Sequence, residues 1–292
     1  MQNQLRFTID GRIRDNVEEA IDILKQFEPP EGYYLAFSGG KDSQCVYHLA
    51  KMAGVKFDAH YSVTSVDPPE LVRFIKDNYP DVEIKIPHDA DGKPVTMWNL
   101  IPKKCMPPTR IARYCCEALK ESNGKYRVTL TGVRKSESVN RAKNQGMVTF
   151  MAQGKKIAKK FAEYGVNYTE TKRGGVVLNY DNDESKNIVD LCYRTTKTLI
   201  NPIINWTESE VWEFLNSHKI HHCCLYDEGY KRIGCIGCPM ASNREKGFER
   251  WPKYKAMYLK AFDTMLKKGK EKGIEYNWDT PDDAMKWWLQ QR

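Results

Sequence analysis

No stretch of the 292 residues approaches the ~18 consecutive apolar residues that cross a bilayer as a helix, so the sequence offers no transmembrane helix. The first fifteen residues lack the apolar core of an export signal, and a cytoplasmic protein with no membrane partner is expected. No segment recurs at a fixed period, and no tract is dominated by one or two residue types, which excludes solenoid and low-complexity architectures. Cysteine is not scarce. There are nine, and without an export signal they point to metal ligation or thiol chemistry ahead of disulfides.

With 41% hydrophobic residues the chain can bury one substantial core with a small appended lobe. Lys and Arg number 46 against 38 Asp and Glu, a net of +8, and the excess is concentrated. The stretch 244–272 holds ten basic and four acidic residues, and 142–175 holds seven and two. Such segments suit a polyanion, whose bound counterions are released on contact, so nucleic acid is a candidate partner; a solvated helix face accounts for the charge equally well.

Helical spacing of Val17, Ala20, Ile21 and Leu24, stopped by Pro29-Pro30, predicts a leading helix within residues 1–30. Tyr33–Phe37 then reads as a strand, a tight loop follows, and Val46, Leu49, Ala50 and Ala53 have helical spacing. Strands over Phe57–Val63, Val82–Ile86 and Tyr126–Val133 alternate with helical stretches such as Pro69–Tyr79. That alternation predicts an α/β fold with a doubly wound, mostly parallel sheet. The main domain is placed at 31–240, with 145–183 as a flap or insertion and 241–292 as a basic helical extension. Helices are expected from the Thr207 cap onward, over Phe248–Lys268 and over Pro281–Gln290.

The loop Ser38-Gly39-Gly40-Lys41-Asp42-Ser43 lies between a strand and a helix, where backbone N–H groups and the helix's positive end can meet a phosphate. Lys41 adds a mobile charge, Ser38 and Ser43 add hydroxyls, and Asp42 is a candidate for holding hydrated Mg²⁺. It is not a Walker A loop, which needs Gly where Leu35 stands and Ser or Thr in place of Asp42. Cys115-Cys116 and the downstream Cys235-Ile236-Gly237-Cys238 supply four thiolates, a donor set suited to zinc or to an iron–sulfur cluster. Cys223, just upstream of Cys235, competes with Cys115 for the fourth position. At the end of another expected strand, Gly132, Arg134, Glu137 and Arg141 are placed to clamp an oxyanion and to orient or accept a proton.

The six-residue loop resembles the PP-loop of ATP pyrophosphatases, which cleave ATP between its α and β phosphates. The tandem cysteines with a distant C-x-x-C resemble the 4Fe–4S site of assimilatory adenylylsulfate reductases, within the PAPS reductase family. Gly132–Arg141, Asn201–Trp206 and Leu225–Tyr230 are similar to further blocks of that family, so the resemblance runs from about Tyr33 to Cys238. It implies an adenine nucleotide alpha hydrolase-like, Rossmann-like fold that uses ATP and Mg²⁺. It also implies a 4Fe–4S cluster on Cys116, Cys235 and Cys238 with Cys115 or Cys223, zinc being the alternative. Reductases of the family carry a nucleophilic cysteine in a C-terminal tail, and no cysteine follows Cys238. The expected activity is therefore ATP-dependent adenylation followed by sulfur transfer, similar to the DNA phosphorothioation sulfurtransferase. A sulfonucleotide reductase and a non-catalytic nucleotide-binding subunit of a nucleic-acid modification or defence system are the alternatives. A sulfur-donor protein and a second copy of the chain are further candidate partners.

Overall fold

The computed structural model describes residues 6–7, 13–121, 123–124, 126–151, 154–163, 165–171, 175–178, 183–194, 197–241 and 244–291. In chain order the elements begin with β1 (Arg6–Phe7), β2 (Ile13–Arg14), α1 (Asn16–Gln26), β3 (Tyr33–Phe37), α2 (Lys41–Ala53), β4 (Phe57–Ser62), α3 (Pro69–Asn78) and β5 (Glu83–Lys85). Next come α4 (Met97–Lys104), α5 (Tyr114–Cys116, continued by a π-helical turn over Glu117–Glu121), β6 (Val128–Leu130), α6 (Val139–Asn144), β7 (Val148–Phe150), α7 (Gly154–Glu163), β8 (Thr169–Glu170) and β9 (Val176–Leu178). Last in order are α8 (Asp183–Cys192), β10 (Thr198–Ile200), α9 (Glu208–Ser217), α10 (Arg244–Arg250), α11 (Pro252–Glu271) and α12 (Pro281–Gln290).

These elements form two compact units. One comprises Met1–Tyr61, Asp77–Glu83 and Gly124–His222, the other Ser62–Lys76, Ile84–Asn123 and Cys223–Arg292. The first carries the sheet, ordered β5-β4-β3-β6-β10-β7-β9-β8. β4, β3, β6 and β10 run parallel, as expected of a doubly wound α/β fold. β3 is buried at Tyr33, Tyr34, Leu35 and Phe37, the near-continuous apolar run of a strand covered on both faces.

The stretch 145–183, expected to be a flap or insertion, supplies an antiparallel wing through β7, β9 and β8. Val148–Phe150 and Val176–Leu178 are buried throughout. Strands of two or three residues are too short to show alternation, and glycines and lysines between them mask the rest.

α2 follows the phosphate loop and is anchored by polar groups on its inner face. The Gln44 amide donates to the Tyr79 hydroxyl at 2.7 Å and to the His221 carbonyl at 2.6 Å. His48 Nε2 lies 3.2 Å from the same hydroxyl, and the Tyr47 hydroxyl donates to Asp81 at 2.5 Å.

The second unit is helical, with α4 and α12 packed on α11. The single helix expected over Phe248–Lys268 is two. Pro252 opens α11, and Trp251 before it leaves helical geometry at φ −127° and ψ 70°, as a residue preceding proline tends to. Phe248, Tyr258, Phe262 and Trp288 form its aromatic core. Arg244, buried beside Trp288, donates to the carbonyls of Trp288, Leu289 and Gln291 and so caps the end of α12.

Burial, then Lys51 and His218, push His48 down to about 4. The fold therefore favours the neutral ring, and stability that is complete above the ordinary value of 6.5 is lost as pH falls toward 4. This group contributes a slope of at most ~1.4 kcal/mol per pH unit. His48→Gln should flatten the acid limb of urea-unfolding midpoints across that window, and a limb matching the wild type would assign the acid sensitivity elsewhere.

Candidate functional site

From β3 the chain moves to β4 on one side and later returns to β6 on the other, so the carboxyl ends of β3 and β6 meet at the switch point where doubly wound sheets bind ligands. The phosphate loop leaves β3 here. Gly39 has φ +70°, a left-handed conformation that glycine adopts freely. Gly40 is the N-cap of α2 and brings no side chain to its first turn, leaving those N–H groups directed at the loop. Ser43 Oγ accepts from the Ser38 N–H at 3.2 Å and donates to the Gly40 carbonyl at 2.9 Å, closing the turn.

β6 delivers Gly132 against this turn. A Cβ on Gly132 would stand 2.7 Å from the Asp42 carbonyl carbon and 2.8 Å from its oxygen, so only glycine lets the two backbones approach. Arg134, 3% exposed, donates from Nε to Asp42 Oδ1 at 2.6 Å and from Nη1 to Ser136 Oγ at 2.8 Å. Glu137 Oε1 accepts from the Arg134 backbone N–H at 3.1 Å and from Arg141 Nη1 at 2.5 Å. The structure thus brings together Ser38–Ser43, Gly132, Arg134, Glu137 and Arg141. Asp42, expected at Mg²⁺, has Oδ1 engaged by Arg134, with Oδ2 3.9 Å from Lys41 Nζ.

Glu208, not singled out from the sequence, lies 3.6 Å from Lys41 Nζ through Oε1. Its position in the first turn of α9 was legible from the Thr207 cap, but its partner was not. Asn201 is a second unanticipated contributor. Its side chain bonds Thr131 and donates to the Gly146 carbonyl at 2.7 Å, fixing the start of the Gly132–Arg134 segment. A helix N-terminus, a buried ammonium and a buried guanidinium together form a site for an extended anion.

Cys115, Cys116, Cys223, Cys235 and Cys238 belong to the second unit. The Cys115 thiol is pushed up, first by its hydrogen bond with Cys116, then by burial and by Cys116, Cys235 and Cys238 nearby. The Cys116 thiol is lowered to about 5 by that hydrogen bond and, against burial, by Arg113 and Lys120. Burial lifts Cys235 to about 11 in spite of Lys120. Its Sγ lies 3.5 Å from Thr64 Oγ1 and 3.8 Å from Asp67 Oδ1. Lys120 is raised in turn, first by Cys235. Burial lifts Cys223 to about 11, and its neighbours are Leu225, Cys224 and Glu70. Among the described residues no three His, Cys, Asp or Glu side chains are placed to hold a metal ion. As a donor set, the thiols of Cys115, Cys116, Cys235 and Cys238, with Arg113 and Lys120 beside Cys116, fit a cluster ligand set by their chemistry.

The phosphoadenosine phosphosulfate reductase domain matches residues 32–241. The chain belongs to that family. It is similar to the adenosine 5'-phosphosulfate reductase of Staphylococcus haemolyticus, with 23% identity over 72% of this chain and 70% of that one. It is also similar to uncharacterized protein MJ0973 of Methanocaldococcus jannaschii, with 24% identity over 84% of this chain and 54% of the relative. The chain spans about half the length of the Methanocaldococcus jannaschii relatives it matches. Among solved structures it is similar to the phosphate complex of phosphoadenylyl-sulfate reductase from Candida auris, with TM-score 0.44 and 14% identity over 74% of this chain and 87% of that one. It is likewise similar to Candida glabrata FMN adenylyltransferase with FMN and an ATP analogue, with TM-score 0.40 and 14% identity over 76% and 61%.

The Ser38–Ser43 loop and the residues around it lie within the matched domain, and Gly132 tests the geometry of this candidate site. Gly132→Ala should weaken ATP binding at least about tenfold by calorimetry, a loss of ~1.4 kcal/mol. Gly247→Ala, where a Cβ meets open space, should leave it unchanged. Equal affinities in the two variants would show that the close approach of Gly132 to Asp42 does not shape the site.

Proposed function

We propose that the protein is a PP-loop enzyme that binds ATP, releases pyrophosphate by adenylating a substrate, and transfers sulfur to that substrate. The observation that carries this reading is the convergence of Gly132, Asp42 and buried Arg134 on the first turn of α2, because it aims the helix N-terminus, Lys41 and Arg134 at one phosphate chain. A substrate oxygen attacks the α-phosphorus, the bond to the bridging oxygen breaks, and pyrophosphate leaves with its charge facing Lys41 and Arg134. Asp42 Oδ2 and the departing phosphates are where a hydrated Mg²⁺ would bind. Glu137, already bonded to the Arg134 N–H and to Arg141, keeps both cations in register. Hydrosulfide-level sulfur then displaces AMP, leaving a carbon–sulfur or phosphorus–sulfur bond on the substrate.

We assign Cys115, Cys116, Cys235 and Cys238 as ligands of a 4Fe–4S cluster, with zinc as the alternative occupant and Cys223 left as a buried small hydrophobe. Bound there, the cluster would supply an iron–sulfide surface suited to handling sulfur, while Arg113 and Lys120 offset its negative charge. The acceptor we favour is a nucleic acid. Lys253, Lys255, Lys260, Lys268 and Lys270 of α11 are exposed and have no carboxylate partner among the described residues.

A second reading, adenylylsulfate reduction, is favoured by the kinship with the Staphylococcus haemolyticus enzyme. The two separate by product. The proposal expects ATP-dependent pyrophosphate release that falls at least about a hundredfold in Lys41→Ala and Arg134→Ala. Sulfite release from adenylylsulfate, with no pyrophosphate from ATP, would replace it with the reductase reading.

A further inference from the structure

Both cysteine-bearing loops rest on the aromatic core of the second unit. Gly237, inside the C-x-x-C, has φ +71°, and a Cβ there would stand 2.7 Å from Phe248 Cζ and 3.1 Å from both Trp288 Cη2 and Tyr258 Cε2. The loop therefore lies flat on three rings, which no larger residue permits. Two of those rings also hold it by hydrogen bonds. The Tyr258 hydroxyl donates to the Ile236 carbonyl at 3.0 Å, and Trp288 Nε1 donates to the Pro108 carbonyl at 2.6 Å, at the base of the segment leading to Cys115-Cys116. Arg110 Nε donates to the Pro239 carbonyl at 3.0 Å and fastens one loop to the other.

We propose that α11 and α12 are the mould of the cysteine centre, with Tyr258 and Trp288 as positioning residues that fix the spacing of Cys235 and Cys238 against Cys115 and Cys116. The inference rests on the reading of these four thiols as ligands of one cluster and adds what holds them in place. A ligand set drawn from two loops must lose backbone freedom before it can bind, about 1–2 kcal/mol for each residue ordered. Contacts formed before the cofactor arrives remove that cost from the binding step. Tyr258 and Trp288 suit this task because both are enclosed on all sides. Tyr258 is 1% exposed and Trp288 is fully buried. Tyr258 is wedged among Trp98, Phe248 and Trp288 at ring separations of 5.1, 5.6 and 4.9 Å. Trp288 lies under the Arg244 guanidinium, which also takes its carbonyl. The polar atom of each ring is directed away from its own helix and onto a cysteine loop.

Tyr258→Phe keeps the ring and removes one hydrogen bond, so it separates positioning from packing. Tyr276→Phe is the control, since it removes a hydroxyl that donates to the Cys105 carbonyl at 2.9 Å in the same unit. Full-length wild type and both variants, purified anaerobically, are compared in the rate of iron loss to excess chelator. After metal removal they are compared in the rate of iodoacetamide labelling at Cys235 and Cys238, read by peptide mass spectrometry. Tyr258→Phe should lose iron and label these cysteines about five- to tenfold faster than wild type, the factor that one net hydrogen bond commands, with little change in Tm. Tyr276→Phe should match wild type in both. Equal labelling rates in the two variants would overturn the mould. Wild type that purifies without iron or zinc would instead overturn the cluster assignment, and labelling of the metal-free chain would still decide the role of Tyr258.

Discussion

The pairing of buried Arg134 with half-buried Asp42 is the constraint on which the candidate site depends. A guanidinium removed from water needs an anion and filled donors, and an unpaired one would cost several kcal/mol. Asp42 satisfies Nε and Ser136 satisfies Nη1. Because Asp42 sits in the first turn of α2, the ion pair also fixes where that helix begins and where its N–H groups point. Gly132 is glycine for the same reason, since any side chain would part the two strands' exits and pull the ions away from each other.

That pair needs support from a third segment. Ser136 Oγ donates to the Trp206 carbonyl at 3.0 Å, and the Lys135 N–H donates to the Ile204 carbonyl at 2.8 Å. Lys135 Nζ reaches Asn205 Oδ1 at 3.2 Å, and Asn201 ties Thr131 to Gly146. Asn201–Trp206 therefore works as a brace for Thr131–Glu137, through its carbonyls and through the Asn201 and Asn205 side chains. The antiparallel wing is braced by the same asparagine, since Gly146 leads into β7.

How much of this could be read from the chain follows from how local each signal is. The phosphate loop is six consecutive residues after an apolar strand, so its place at the end of β3 was legible, as were α1, α3, the Thr207 cap and α12. Pairings that link distant segments were not. Nothing in the neighbourhood of Glu208 signals Lys41, and nothing around Asn201 signals Gly146. The cysteines fall between these cases. Their spacing offered both Cys115 and Cys223 as the fourth ligand, and no local signal in the sequence chooses between them. The aromatic residues of α11 and α12 read only as helix-spaced apolar positions, because the loop carbonyls they hold lie far off in sequence.

The partners of Lys41 also differ in how firmly they are held, and the difference sets the order in which they can be replaced. The Lys41 side chain is 4% exposed and faces two carboxylates, Glu208 at 3.6 Å and Asp42 at 3.9 Å. Asp42 cannot leave, because Arg134 would then be a buried cation without an anion. Glu208 can. Its side chain is 54% exposed, so turning it into water forfeits only a screened interaction, of the order of 1 kcal/mol or less. On the proposed reading, an incoming phosphate competes with the weaker of the two carboxylates, and Asp42 keeps the Lys41 side chain in place. The proposal thus has the loop exchange one counterion for another, on a geometry that Asp42 and Arg134 set beforehand.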